Sequence, residues 1–414
     1  MQTPLTPAPA RFAFLNGITR NVWVLGAVSL LTDISSEMIV PVRILFLVGV
    51  LNTPLPIAGL IEGVAESFSS LVKIFSGRLA DRVSERKPLI LAGYTLSNGI
   101  KPFLSLVTAW PPALALIITD RIGKGIRTSP RDAVIADSTD RAYRGKAFGL
   151  HRAMDTLGAA IGPLCTFAIL ALSNDDLRPV FAWTAVPGVL SIVVLILFLR
   201  EKRRAPAPAA TTAAPSVLPR VTGALGAPFW LFTAIATLFA LGNSSDAFIF
   251  LRTEGLEHSL EAVPLVYFGY NIVYALLATP LGALSDRWGR LPVLAAGFGA
   301  FGAVYAGWAF ANQSWQAPAL FLLYGIYAAA TEGVGKALVT DLTPKARRGA
   351  AMGWFNGLTG FAALPSNILG GWLWQTFGPT ATFAMGAFLG LLCAALLIIF
   401  RARLKPAPAI LTAG

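Results

Sequence analysis

Residues 119–137 read TDRIGKGIRTSPRDAVIAD. Asp120, Lys124, Arg127 and Arg131 recur at steps of four, three and four, with Arg121 beside them. At ~3.6 residues per turn such steps draw one narrow stripe along a helix. The stretch follows directly on the apolar run PPALALII, and Lys124 falls near the middle of a span expected over 112–136. A charge stranded at the centre of a bilayer costs at least ~2.5–3.5 kcal/mol, and several together would defeat insertion. The stripe must therefore face a wet cavity or charges of the opposite sign.

Such charges are present in neighbouring spans. Asp33 and Glu37 lie four apart in the first, and Glu62, Glu66 and Lys73 share a face of the second. The fifth adds His151, Arg152 and Asp155. The C-terminal part is poorer in charge, with Asp246, Arg252, Glu332 and Lys336, accompanied by Asn271, Asn356, Tyr267, Tyr270 and Tyr274. One possibility is that these groups pair only with each other and hold helices in register. Buried pairs give little net stability, because desolvation offsets their attraction. So many in one half point instead to ligand or proton binding. The expected substrate cavity contains Asp120, Arg121, Lys124, Arg127, Arg152, Asp246, Tyr270, Asn271 and Asn356. The proton-coupling candidates are Asp33, Glu37, Glu62, Glu66 and Asp155, with Glu37 first because it lies nearest mid-span. A carboxylate set in an apolar wall can exchange protons near neutral pH.

The elements that must position these residues follow from composition. Of 414 residues, 55% are hydrophobic and only 13% charged, about half the charge of a typical soluble domain (~25%). Apolar runs near the ~20 residues that span a bilayer recur at 25–50, 57–78, 88–108, 112–136, 146–173, 179–199, 227–251, 261–283, 291–311, 317–340, 350–375 and 380–401. The fold expected is an all-α membrane protein of twelve transmembrane helices. The N-terminal residues lack the pattern of a cleaved signal peptide, so the first span is expected to stay. Cys165 and Cys393 both fall within spans and imply neither disulfide nor metal site. The net charge of +12 does not indicate nucleic acid. Lys and Arg cluster in alternate loops, such as GRLADRVSERKP, REKRR and PKARRG, while LNTPLP, TAWPP and NQSWQAP carry none. This asymmetry places both termini in the cytoplasm.

The chain divides into an N-terminal six-helix half (1–199), a Pro/Ala-rich cytoplasmic linker (200–226) and a C-terminal six-helix half (227–414). The halves echo each other. GRLADR (77–82) returns as GALSDR (282–287), and IADSTDRAYRGKAFG (135–149) as VTDLTPKARRGAAMG (339–353). DISSEM (33–38) is faintly matched by NSSDAF (243–248), which sets Glu37 against Asp246. Parallel repeats of this kind place substrate sites near the midplane, between the halves.

These residues resemble the major facilitator superfamily across nearly the whole chain. Its Gly-x-Leu-x-Asp-Arg-x-Gly-Arg motif is matched between the second and third spans by Gly77, Leu79, Asp81 and Arg82, with Ser84 and Glu85 replacing the later glycine and arginine and Arg86 one position on. The copy after the eighth span is fuller: Gly282, Leu284, Asp286, Arg287, Gly289 and Arg290. Gly289 suits a turn that needs positive φ. The resemblance implies a cytoplasmic latch in which Asp81 faces the start of the eleventh span, near Gly349, and Asp286 the start of the fifth, near Gly145. A helix start favours a carboxylate by ~0.3–1 kcal/mol. The family's fourth-span Arg-x-x-Gln-Gly reads Arg121-x-x-Lys124-Gly125 here, so lysine adds a charge. In the fifth span Gly149, Gly158 and Gly162-Pro163 resemble a motif of proton-driven exporters, although Thr166-Phe167 stands where that motif closes on two glycines.

The resemblance implies a secondary transporter in a bacterial inner (plasma) membrane, working as a monomer without a cofactor or metal. Its partners would be a small-molecule substrate, protons and the lipid bilayer. Proton-coupled efflux of a small organic solute by alternating access is the leading expectation. An importer or facilitator of an anionic metabolite is the alternative, since Arg121, Lys124 and Arg127 could bind a carboxylate or phosphate. A membrane sensor that does not transport is a rival of another class. An enzyme is disfavoured: the chain has two histidines, His151 and His258, and no His pair at metal-ligand spacing. GKG at 123–125 lacks the spacing of a nucleotide-binding loop, which argues against ATP-driven transport by this chain alone.

Overall fold

The computed structural model describes residues 18–140, 143–201, 225–256, 259–344 and 348–404. Most of the expected linker and His258 lie outside the described residues, as do the side chains of Glu66, Lys73, Gly77, Asp81, Arg82, Gly145 and Gly349. Twelve spans follow in order: Arg20–Val50, Leu55–Arg82, Lys87–Leu106, Trp110–Asp137, Arg144–Ser173, Arg178–Phe198, Ala227–Glu254, Ala262–Trp288, Arg290–Phe310, Gln316–Asp341, Arg348–Phe377 and Pro379–Ile399. Among the described residues seven of these helices are long and apolar enough to cross a membrane on length and composition alone. The first and the fourth fall short because of the charges they carry: Arg20, Asp33 and Glu37 in the helix Arg20–Glu37, and the charged stripe in the fourth. The basic loops orient odd-numbered spans outward and even-numbered spans inward.

Four spans depart from the unbroken helices expected: the third tightens into a 3-10 turn over Lys101–Leu106, the sixth is interrupted at Thr184, and the first and seventh break at equivalent points of the two halves. The first stops at Glu37 and resumes at Val40–Leu45 before a wider-wound turn, Phe46–Val50. Pro41, in the first turn of the second piece, has no N–H to give the preceding helix, which favours a break just before it. The seventh stops at Gly242 and resumes as Asp246–Glu254. There the Ser245 hydroxyl accepts a hydrogen bond from the Ala247 amide at 3.2 Å and caps the new helix. The echo of Ser-Ser-Glu by Ser-Ser-Asp therefore marks the two breaks, leaving Glu37 at the end of one segment and Asp246 at the start of another.

Repetition also governs the cytoplasmic loops. Arg86 pairs with Asp137 at the end of the fourth span, 2.6 Å apart. Arg290 reaches Asp341, at the end of the tenth, at 3.3 Å. Gly289 has φ of 94°, as its place in the motif requires.

The halves meet tightly at the outer end. A Cβ on Gly59 would collide with the Asn367 carbonyl, and one on Gly371 with the Leu55 carbonyl, so backbones of the second and eleventh spans touch. The outer piece of the first span packs on that of the seventh. Towards the cytoplasm a Cβ on Gly149, Gly282, Gly333 or Gly357 would meet nothing within 4 Å among the described residues. Among the described residues the halves close on each other at the outer end and show no such close approach towards the cytoplasm, as in an inward-open state.

Candidate functional site

Between the halves lies a polar cavity of two adjoining chambers. The inner one, about 500 Å³, is lined from the N-terminal half by Asp33, Glu37, Lys124, Arg127, Arg131, Arg152 and Asp155. From the C-terminal half come Asp246, Tyr267, Tyr270, Asn271, Tyr274 and Glu332. The outer chamber, about 250 Å³, is bounded by Arg43, Glu62, Asn243, Tyr324 and Tyr327, and shares Asp246, Tyr270 and Glu332 with the inner one. Glu37 and Lys124 thus face the same space.

The charges in the inner chamber are largely kept apart. Among the described residues Asp33, Glu37, Lys124 and Arg127 form no ion pair within 4.0 Å. Glu37 instead accepts a hydrogen bond from the Tyr267 hydroxyl of the opposite half at 3.1 Å. The Arg127 guanidinium stacks on the Tyr94 ring at 4.3 Å, while its Nε is buried without a hydrogen-bond partner among the described residues. Arg131 is held by Asp132 at 2.9 Å and by the Ser29 hydroxyl at 3.2 Å. Asp155 lies 3.4 Å from His151 Nδ1. Mutual pairing therefore does not account for the charge in this chamber.

The fifth span brings its glycines to the two carboxylates of the first. A Cβ on Gly158 would stand 3.0 Å from the Asp33 Cβ, and one on Gly162 2.7 Å from the Glu37 Cβ. These glycines let the two helices approach closely, right where the carboxylates emerge.

The opposite wall is aromatic and acidic. The Tyr267 and Tyr270 rings stack at 5.6 Å, and Tyr270 stacks on Tyr324 at 5.4 Å. Tyr324 donates to Asp246 Oδ1 at 2.8 Å, and Tyr274 to Glu332 Oε2 at 2.8 Å.

Other expected site residues lie elsewhere. Glu62, a coupling candidate, is buried and clamped by Arg43, whose Nε donates to Oε1 at 2.6 Å while Nη2 reaches Oε2. It serves the outer chamber rather than the inner one. Asp120 and Arg121 do not line the main cavity. Asp120 accepts from the Ser97 hydroxyl at 2.6 Å and lies 3.5 Å from Arg121. Both border a void of about 20 Å³ within the N-terminal half, enough for one water. Lys101, not singled out from sequence, also borders that void and donates to Ser36 at 2.7 Å and to Asn98 at 2.9 Å. Asn356 is exposed and borders neither chamber. Of the latch residues, Asp286 is exposed and pairs with Arg290 at 2.6 Å, Arg287 is exposed, and Arg86 is buried against Asp137.

Comparison with known proteins agrees with this architecture. The family model for the Major Facilitator Superfamily matches residues 25–268 and 247–413. A protein of Methanocaldococcus jannaschii, named as an uncharacterized MFS-type transporter, is 34% identical over 92% of this chain and 95% of its own. The class G tetracycline resistance protein of Vibrio anguillarum is 26% identical over 80% of this chain and 87% of its own. A solved bacterial homologue of the human lysosomal transporter Spinster, inward-facing and occupied, superposes with a TM-score of 0.75 at 16% identity, covering 94% of this chain and 98% of its own. Twelve spans in two repeated halves around one cavity, with these matches, place the chain among transporters and not enzymes: it belongs to the major facilitator superfamily.

Proposed function

We propose that the protein is a proton-coupled exporter of a small organic solute, a monomer in a bacterial inner membrane. The observation that carries this is the placement of Glu37. It faces the cavity, hydrogen-bonds across the domain interface to Tyr267, and rests on Gly162 of the fifth span. A proton on Glu37 changes that bond: the ionised carboxylate can only accept from Tyr267, whereas the acid can also donate. Protonation therefore bears on a contact that rocking of the halves must break. Solute reaching Lys124 changes the field at the same carboxylate, so solute and proton would compete, as antiport requires. The relation to a tetracycline resistance protein favours outward transport. By symmetry with helix-start binding of carboxylates, Asp81 and Asp286 would latch the cytoplasmic side in the outward-open state, releasing the Asp286–Arg290 pair.

The test is transport in proteoliposomes with Glu37→Gln. Solute counterflow without a gradient should persist, and accumulation driven by an imposed pH difference should be lost. Gradient-driven transport at the unaltered rate would refute the assignment. A second reading, uptake of an anionic metabolite, is favoured by Lys124 and Arg127, which form no ion pair among the described residues. It predicts that the same pH difference drives solute in the opposite direction.

A further inference from the structure

The two walls of the inner chamber differ in charge, and the difference specifies a ligand. The N-terminal wall offers Lys124 and Arg127, neither in an ion pair among the described residues. Arg127 is only 2% exposed, yet it borders the cavity and leaves Nε without an acceptor. Tyr94 holds the guanidinium plane from behind. A buried cation this poorly matched calls for an anion, and guanidinium suits a planar oxyanion such as a carboxylate.

The C-terminal wall is acidic and aromatic. Asp246 accepts from the Tyr324 hydroxyl and Glu332 from the Tyr274 hydroxyl, and both carboxylates border the cavity. The stacked rings of Tyr270 and Tyr324 lie beside them. Carboxylates beside aromatic faces are the surroundings that hold an ammonium group. Both acids border both chambers, so the acidic wall continues past the junction. A cavity of about 500 Å³ is within the ~300–1,000 Å³ usual for drug-sized ligands.

We infer that the substrate is a small zwitterion, its carboxylate on Lys124 and Arg127 of the N-terminal half and its protonated amine against Asp246 and Glu332 among the tyrosines of the C-terminal half. This deepens the transporter reading and rests on it for the site, but not for coupling or direction. One molecule bridging both walls gains from each only when the halves stand at the right separation. The ligand would thereby sense their closure.

The test is binding to the full chain in detergent, by calorimetry, with no gradient. The probes are 4-(ω-aminoalkyl)benzoates of increasing chain length, compared with the matching 4-alkylbenzoates and ω-phenylalkylamines. At least one zwitterion should bind about tenfold or more tightly than both of its singly charged counterparts, as two charge-assisted contacts exceed one. Lys124→Gln should remove its advantage over the amine, and Asp246→Asn its advantage over the benzoate. Arg127→Lys, which keeps the charge but loses the fork, should weaken zwitterion and benzoate together and leave the amine unchanged. Each variant is compared only as a monodisperse protein on size exclusion. Benzoates or amines binding as well as the zwitterions at every length, or no binding by any member, would overturn the inference. Failure of proton-driven export with this binding pattern intact would sink only the coupling proposal.

Discussion

Gly371→Ala should shift the protein away from the conformation described here. Gly371 closes the outer end, where the eleventh span lies against the start of the second. An added Cβ would collide with the Leu55 carbonyl oxygen, stand 2.8 Å from its carbon and lie 3.0 Å from the Pro56 Cα. These are backbone atoms within helical turns, so no side chain can swing aside. Overpacking of this kind costs ~1–3 kcal/mol. The contact exists only while the outer gate is shut, so the penalty falls on the inward-open state alone. It should change the ratio of the two states by a factor of roughly 5–150. Spin labels at Thr108 and Thr376, both exposed in the outer region of opposite halves, read the gate by pulsed dipolar spectroscopy in a background lacking Cys165 and Cys393. The longer inter-label distance should gain population in Gly371→Ala. Gly149→Ala, where a Cβ meets nothing within 4 Å, should not open the outer gate. An unchanged or shortened distance distribution in Gly371→Ala would refute the reasoning.

Glu62→Ala should lower the thermal midpoint sharply, because it strands Arg43 without its bidentate partner. Loss of one member of a buried pair costs ~3–5 kcal/mol, and replacing both by apolar residues of similar volume restores much of it. Asp286→Asn should leave the label distances unchanged, since in this state Asp286 is exposed and paired locally with Arg290, yet slow solute exchange by weakening the closed latch. Equal exchange rates in the two proteins would remove Asp286 from the latch.

The sequence carried the twelve spans because each is an apolar run bounded by Pro, Gly or charge, and their edges agree with the helices to within a few residues. It also carried the convergence of Glu37, Lys124 and Arg127, since intramembrane charge has few places to go. The stripe on the fourth span was legible only as a stripe. Lys124, Arg127 and Arg131 do face the cavity, but helical period fixes a face and not what lies opposite it. One turn further out, Ser97 of the third span takes Asp120. Arg43 and Lys101 were hidden by their apolar neighbours, VPVRILF and GIKPFL. Each is a single charge in an oily run, without the periodic companions that mark Lys124. The partner of Glu62 was equally out of reach, because the Arg43–Glu62 contact depends on how the broken first span is redirected after Glu37.

Alternating exposure of one shared aqueous cavity is the claim on which the rest depends, and cysteine accessibility tests it directly. Thr156 and Asn271 line the inner chamber from opposite halves. With the two native cysteines removed, Thr156→Cys and Asn271→Cys should react with a membrane-impermeant maleimide applied from the cytoplasmic face. With Gly371→Ala added, both should become reactive from the outer face. Protection of both positions from water-borne reagent on either side, with labelling only by a lipid-soluble one, would contradict it.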